Sequence, residues 1–121
     1  MASARMRRVN EAVREVLSAT LAAGLKDPRI GFVTVTGVET SPDLRNARVY
    51  VSVLGDDAAR DDAIAGLRHS RGFLQAQLGA QLHMKRTPHL DFVYDHTGER
   101  AARLTRLIDE AVGEVAGGRG E

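Results

Sequence analysis

The sequence predicts an α+β domain in which helices cover one face of a three-stranded sheet. Two segments rich in Val and Thr flank a short turn, a third strand-like segment follows later, and apolar residues recur at helical spacing around them. The predicted order is helix, strand, strand, helix, kink, helix, strand, helix. Such a sheet buries one face against the helices and leaves the other in water. A chain of 121 residues suits one domain of this kind.

The first helix is predicted from about Ser3 to Ala23. Its apolar residues recur at helical spacing: Val9, Val13, Val16, Leu17 and Leu21. Gly24 is a helix stop signal, and Pro28 prevents the helix from continuing. The chain should therefore leave the first helix near residue 24.

A β-hairpin follows, with strands over Phe32–Thr40 and Ala47–Leu54. The second strand alternates cleanly: Ala47, Val49, Val51 and Val53 face one way, and Arg48, Tyr50 and Ser52 face the other. The segment Ser41–Asn46 carries Ser, Pro, Asp and Asn, which are typical turn residues. Because the connection is short, the two strands should be antiparallel neighbours.

The next helical region begins at Gly55-Asp56-Asp57, where carboxylates suit a helix N-terminus. Its apolar stripe is interrupted at Ser70-Arg71-Gly72, since a strict continuation from Leu67 needs an apolar residue near Arg71. The stripe then resumes: Phe73, Leu74, Leu78 and Leu82. We expect either two helices or one sharply kinked helix, ending at Thr87-Pro88.

A third strand is predicted over Leu90–Asp95, with Leu90, Phe92 and Tyr94 on the core face. A last helix should begin at Thr97-Gly98. The Gly-rich residues 117–121 are expected to form a flexible tail, so that residues 1–116 make one domain.

The composition excludes several classes of protein. The chain has no Cys, so disulfides and thiol chemistry are excluded, and no two of its four His residues are three or four positions apart, which argues against zinc. Aromatic residues make up only 4%, too few for a stacking platform. No apolar run is long enough for a membrane span, and no signal peptide is visible. We expect a soluble, cytoplasmic, monomeric protein without a cofactor.

Positive charge is concentrated in one part of the sequence. The chain holds 17 Lys and Arg against 16 Asp and Glu, yet no acidic residue occurs from Ala63 to Leu90. The basic residues of this window are Arg68, Arg71, Lys85 and Arg86, together with His69, His83 and His89. A local field of one sign attracts polyanions, which makes nucleic acid the first partner to consider. The alternative is a solvated helix face, with Lys85 and Arg86 at a helix C-terminus.

The segment Leu25–Val53 carries a characteristic series of residues: Asp27-Pro28-Arg29, Val33-Thr34-Val35-Thr36, Ser41, Asp43-Leu44, Ala47 and Val49-Tyr50-Val51-Ser52, followed by Phe73-Leu74, Leu78 and the strand from Pro88 to Asp95. This series resembles the ribosome-binding factor A family of bacterial small-subunit maturation factors. The resemblance covers roughly Arg5 to Ile108, which is most of the chain.

This resemblance implies a type II K-homology-like fold. Typical domains of that fold clamp a nucleic-acid backbone with a Gly-x-x-Gly loop, whereas this family has an Ala-x-Gly kink between two helices. Here the kink is Ser70-Arg71-Gly72, with Ser in place of Ala. The resemblance further implies a non-catalytic assembly factor that binds 16S rRNA on the free 30S subunit, beside ribosomal proteins, and assists late maturation, including that of the 5′ region.

Residue patterns and the resemblance together define a set of predicted RNA contacts: Arg7, Arg8, Arg29, Arg45, Arg48, Arg68, Ser70, Arg71, Gly72, Lys85 and Arg86. Structural alternatives exist for part of the set. Asp27 and Arg29 suit a turn, and charges on the hairpin also prevent edge pairing. Two other functions stay open, a K-homology-like single-strand binder outside the ribosome and an enzyme, although no catalytic arrangement is recognisable.

Overall fold

The computed structural model describes residues 3–97 and confirms the predicted order of elements through the third strand. The elements are α1 (Ala4–Ala23), β1 (Val33–Thr40), β2 (Asn46–Val53), α2 (Asp57–His69), α3 (Arg71–Leu82) and β3 (His89–Tyr94). The ends of the strands differ from the predicted bounds by at most one residue. The predicted last helix, the domain end at residue 116 and the tail lie outside the described residues.

The first helix has nearly the predicted bounds and ends at the predicted stop signal, Gly24. Ser3 is its N-cap, and the Ser3 Oγ accepts a hydrogen bond of 3.1 Å from the Met6 N–H. Gly24 is the C-cap at φ 95°, and its N–H donates to the Leu21 carbonyl. The left-handed backbone at Gly24 turns the chain away from the helix.

The sheet has the order β1-β2-β3 and mixes two kinds of pairing. The hairpin strands β1 and β2 are antiparallel, with a register shift between Val35 and Gly37. The strands β2 and β3 are parallel and start together, with Asn46 opposite His89. Two parallel strands that start together place the connections that precede them at the same end of the sheet.

The helices α1, α2 and α3 cover one face of the sheet, which confirms the two-layer prediction. The core residues share near-complete burial and come from every described helix and strand: Val13, Leu17, Val35, Val38, Ala47, Val49, Val51, Ala63, Leu67, Leu74, Leu78, Leu90 and Phe92. On the opposite face, Thr34, Arg48, Ser52 and Asp91 are exposed. The alternation predicted for β2 therefore matches the burial of that strand.

A single residue, Ser70, separates α2 from α3. Its φ of −89° and ψ of 6° leave the helical region, and its N–H is shared between the Gly66 and Leu67 carbonyls. Next to it, the half-buried Arg71 donates from Nε to the Leu90 carbonyl at 2.7 Å. A hydrogen-bonded guanidinium thus occupies the position at which a strict apolar stripe would continue.

The helix α3 ends earlier than Thr87-Pro88, the boundary predicted from sequence. It stops at Leu82 because His83 adopts a left-handed conformation with φ 53°. Residues 83–88 form a loop held against α3, where Gln75 Nε2 lies 3.5 Å from Thr87 Oγ1. Lys85 and Arg86 are therefore loop residues and do not occupy the last turn of a helix.

The helix α2 and the loop between α1 and β1 come into close contact at Gly66. A Cβ atom at this buried α2 position would lie 2.7 Å from Ile30 Cγ1 and 3.3 Å from Asp27 Cγ. The loop between α1 and β1 packs so tightly on α2 that even a methyl group at this position would force the Ile30 side chain to move. Sequence patterns do not single out this glycine, because only the tertiary contact explains it.

Replacing Gly66 by Ala should destabilise the protein by about 1–3 kcal/mol, despite the better helix propensity of Ala, because the new methyl group overlaps Ile30. Gly72→Ala is the matched control. A Cβ there meets no atom within 4 Å, so this substitution should stabilise the protein by about 0.5–1 kcal/mol. Urea unfolding of both variants measures the difference, and a Gly66→Ala protein as stable as the parent would contradict the packing described.

Candidate nucleic-acid interface

Two connections and the start of α1 meet at the end of the sheet where β2 and β3 begin. The His89 N–H donates to the Arg45 carbonyl at 2.8 Å, which ties the loop before β3 to the hairpin turn before β2. The Asn10 Oδ1 accepts from the Thr40 N–H at 2.8 Å and brings the start of α1 to the same end. We call this region the basic end, defined by Arg7, Arg8, Arg45, Lys85 and Arg86, all of which are exposed.

Little negative charge opposes the loop side chains of this end, Arg45, Lys85 and Arg86. Asp43 is the acidic residue of the hairpin turn, and its carboxylate lies 4.0 Å from the Arg45 guanidinium, with both groups exposed. The Ser41 hydroxyl and then the Arg45 N–H donate to this carboxylate and lower its pKa. Asp43 is thus occupied in building the turn. Within residues 3–97, Lys85 and Arg86 form no ion pair.

The joint between α2 and α3 presents a second basic surface. Arg68 is exposed and forms no ion pair with any described residue, whereas Arg71 commits its Nε to the backbone of β3. Ser70 is half-buried, and no side chain caps the start of α3. At Gly72 the backbone is open, because nothing lies within 4 Å of its absent Cβ. A phosphate group can approach the chain closely at that residue.

The structure places Arg29 in a turn. Its Nε and Nη2 donate to Asp27 at 3.0 and 2.6 Å, and its backbone N–H donates to the same carboxylate at 3.0 Å. These bonds hold the pKa of Asp27 at about 2. The geometry favours the structural alternative for Arg29, while its contact with RNA stays a prediction.

Arg48 lies between two carboxylates on the outer face of the sheet. The register puts Glu39 of β1 on one side of it and Asp91 of β3 on the other. A hydrogen bond with Tyr50, followed by the attraction of these two carboxylates, raises the pKa of Arg48. Glu39, Arg48 and Asp91 together carry more negative than positive charge, which disfavours the approach of a phosphate. The contact of Arg48 with RNA stays a prediction.

Negative charge collects at the far end of the sheet, where α2 begins. Asp56 caps α2 by accepting from the Ala59 N–H at 2.9 Å, and Asp57 pairs with Arg60 at 2.8 Å. Both acids follow the end of β2, which is eight residues long. At about 3.3 Å per residue, β2 separates them from the basic end by about 23 Å. The domain is therefore electrically polarised along its sheet.

The described residues offer no metal centre and no membrane span. Within residues 3–97 no group of three or more His, Asp or Glu side chains is placed to hold a metal ion. In the same range, no helix is long and apolar enough to cross a membrane.

The αββααβ order, with a parallel last pair of strands and a break between the last two helices, defines a type II K-homology-like domain. The family model for ribosome-binding factor A matches residues 5–108. A ribosome-binding factor A of Anaeromyxobacter sp. (strain K) is 55% identical over 105 residues, 86% of this chain and 76% of that protein. That of Geobacter sulfurreducens is 43% identical over 106 residues, 88% of this chain and 90% of that protein. The chain belongs to the ribosome-binding factor A family.

Solved structures agree with this assignment. The crystal structure of ribosome-binding factor A from Thermus thermophilus superposes with a TM-score of 0.66 at 27% identity, covering 74% of this chain and 93% of that one. A Thermus thermophilus ribosome-binding factor A model fitted into a cryo-EM map of its complex with the 30S subunit gives a TM-score of 0.60 at 28% identity, covering 71% and 90%. The chain thus shares its fold with Thermus thermophilus ribosome-binding factor A at less than 30% sequence identity.

The pairing of Asp27 with Arg29 predicts a specific acid sensitivity. The pKa of Asp27 in the folded protein, about 2, lies below its ordinary value of 3.8. Its stabilising contribution is therefore complete above pH 3.8 and is lost as the pH falls through about 2. Asp27→Asn should lower the free energy of unfolding at neutral pH and should reduce its loss between about pH 4 and pH 2.

Urea unfolding at a series of pH values measures this effect. Asp61→Asn is the control, because Asp61 is an exposed α2 carboxylate that forms no ion pair among the described residues. If Asp27→Asn and the parent lost stability equally over this acid range, the turn would not depend on this ion pair.

Proposed function

We propose that this protein is a non-catalytic, cytoplasmic ribosome assembly factor that binds 16S rRNA on the free small subunit and assists its late maturation, including that of the 5′ region. Membership of the ribosome-binding factor A family supports the proposal, as does the complex that a Thermus thermophilus relative forms with the 30S subunit. The observation that carries it is the basic end, where exposed Arg and Lys side chains from the hairpin turn, the loop before β3 and the start of α1 converge.

The proposed mechanism is electrostatic positioning followed by a population shift. Arg and Lys at the basic end contact rRNA phosphates and release condensed counterions, which provides affinity that depends strongly on salt. The acidic start of α2, about 23 Å away along β2, repels RNA and fixes which end of the protein faces the subunit. Binding then favours the rRNA conformation that presents phosphates to this surface, without any bond chemistry.

The predicted contacts fall into two groups on structural grounds. Seven lie at the basic end or on the open side of the joint and form the proposed interface: Arg7, Arg8, Arg45, Lys85, Arg86, Arg68 and Gly72. The other four already have a structural role in the fold. Arg29 closes a turn, Arg48 lies between carboxylates, and Ser70 and Arg71 build the joint.

The double substitution Lys85→Ala with Arg86→Ala should weaken binding to purified small subunits by roughly tenfold at low salt. It should also make the slope of log K against log salt less steep by about one for each phosphate that the variant no longer neutralises. Co-sedimentation at several salt concentrations measures both quantities. Both residues are exposed and loop-borne, so the fold should be unaffected.

Arg60→Gln provides the charge control for this experiment. Arg60 lies in α2 beside Asp57, at the acidic end of the domain. Its loss should leave the affinity and the salt slope unchanged. Equal weakening by the control, or no weakening by the double variant, would contradict the basic end as the interface. Tight binding of the parent protein to short unstructured RNA, equal to its binding to subunits, would favour a general single-strand binder.

The substitution Gly72→Ala should change the stability of the protein and its affinity for small subunits in opposite directions. The added methyl group occupies open space on the protein surface and should stabilise α3. If rRNA backbone approaches Gly72, the same methyl group should weaken subunit binding several-fold. Co-sedimentation and urea unfolding of this one variant give both values, and a variant that is more stable and binds normally would remove Gly72 from the interface.

A further inference from the structure

A groove opens beside the helix joint, apart from the basic end. The loop after α1 forms one wall, and the end of α2 with the first turn of α3 forms the other. Its lining residues are Gly24, Leu25, Lys26, Asp27, Pro28, Arg29, His69, Ser70 and Phe73, around a volume of about 830 Å³. The lining is mainly apolar, with charged groups at the rim.

Phe73 is the aromatic residue of this groove and has no role in the core. Its side chain is 52% exposed, whereas the adjacent Leu74 is fully buried. Phe73 lies in the first turn of α3, one residue after the open backbone of Gly72. A large ring left in water beside an accessible backbone is suited to stacking against a planar ligand.

The charges around the groove favour an anion. Asp27 is the acidic residue of the lining, and Arg29 compensates its charge through two side-chain hydrogen bonds. Lys26 is exposed and forms no ion pair within residues 3–97, and the exposed imidazole of His69 lies on the opposite wall. The lining therefore holds two cationic side chains and one carboxylate around a mainly apolar floor, and Asp62 of α2 lies outside the lining but also attracts Arg29.

We propose that this groove holds one unpaired nucleotide of the rRNA, with its base stacked on Phe73 and its phosphate near Lys26 and His69. A nucleotide combines a planar apolar face with a negative phosphate, and these match the ring and the rim respectively. A second protein would match both features only by presenting an apolar and an acidic side chain at this spacing, whereas every nucleotide carries a planar base and a phosphate together. The inference rests on the proposed function, because it assigns a subsite for the same RNA.

The substitution Phe73→Trp makes the groove observable. The chain has no Trp, so the fluorescence of the variant reports on position 73 alone. Titration with a short single-stranded RNA, which has no indole emission, should quench this fluorescence, because a stacked base quenches indole emission. Titration with small subunits should do the same after subtraction of the subunits' own Trp emission, which is measured with the Trp-free parent protein. Phe32→Trp is the matched control, since Phe32 is 80% exposed and lies outside this groove. Its emission should stay unchanged.

The substitution Phe73→Ala tests the contribution to binding. Loss of one stacked base should weaken co-sedimentation with small subunits about fivefold or more, whereas Phe32→Ala should leave it unchanged. Urea unfolding verifies that each variant is folded, as the exposure of both rings predicts. A blue shift of the indole emission of the Phe73→Trp variant without quenching would indicate a protein neighbour and would overturn the nucleotide assignment.

Failure of this inference is distinct from failure of the proposed function. If the parent protein binds small subunits, but Phe73→Trp shows no quenching and Phe73→Ala binds normally, the groove is not a nucleotide subsite and the assembly-factor proposal stands. If the parent protein does not co-sediment with small subunits at low salt, the proposed function itself is wrong.

Discussion

The strand β3 runs parallel to β2, and this pairing determines where the charges of the domain lie. A parallel neighbour requires the chain to return along the sheet before it pairs, and α2 and α3 provide that crossover. Because β2 and β3 start together, the hairpin turn before one strand and the loop before the other meet at one end. Arg45 and Lys85, which are distant in sequence, therefore share a surface.

Neighbouring acidic and carbonyl groups bind some of the basic side chains, and this determines which positive charges are available to a partner. The guanidinium of Arg29 is bound to Asp27, and that of Arg71 is bound to the backbone of β3. Arg48 lies between Glu39 and Asp91 in the sheet register. Side chains in the connections are less compensated, because these loops place few acidic neighbours beside them. The proposed binding surface is therefore the basic end, and not the outer face of the sheet or the turn at Arg29.

Local signals in the sequence are sufficient to predict the elements of this fold. Gly24 ends α1, alternation defines the buried face of β2, and the interruption at Ser70 marks the helix joint. Such local signals do not predict properties that depend on contacts between residues distant in sequence. The partner of Arg71 is 19 positions away, the carboxylates beside Arg48 depend on register, and the need for Gly66 arises from the packing of a distant loop. The early end of α3 escapes prediction because neither Gly nor Pro marks it.

In the proposed complex, the protein meets the small subunit through the end of the sheet where β2 and β3 begin. Crosslinking of the protein to rRNA within purified small subunits, with the crosslinked peptides identified by mass spectrometry, tests this claim most directly. We expect crosslinks in the hairpin turn, in the loop of residues 83–88 and around the helix joint. Crosslinks confined to the acidic start of α2 or to the outer face of the sheet would contradict this claim.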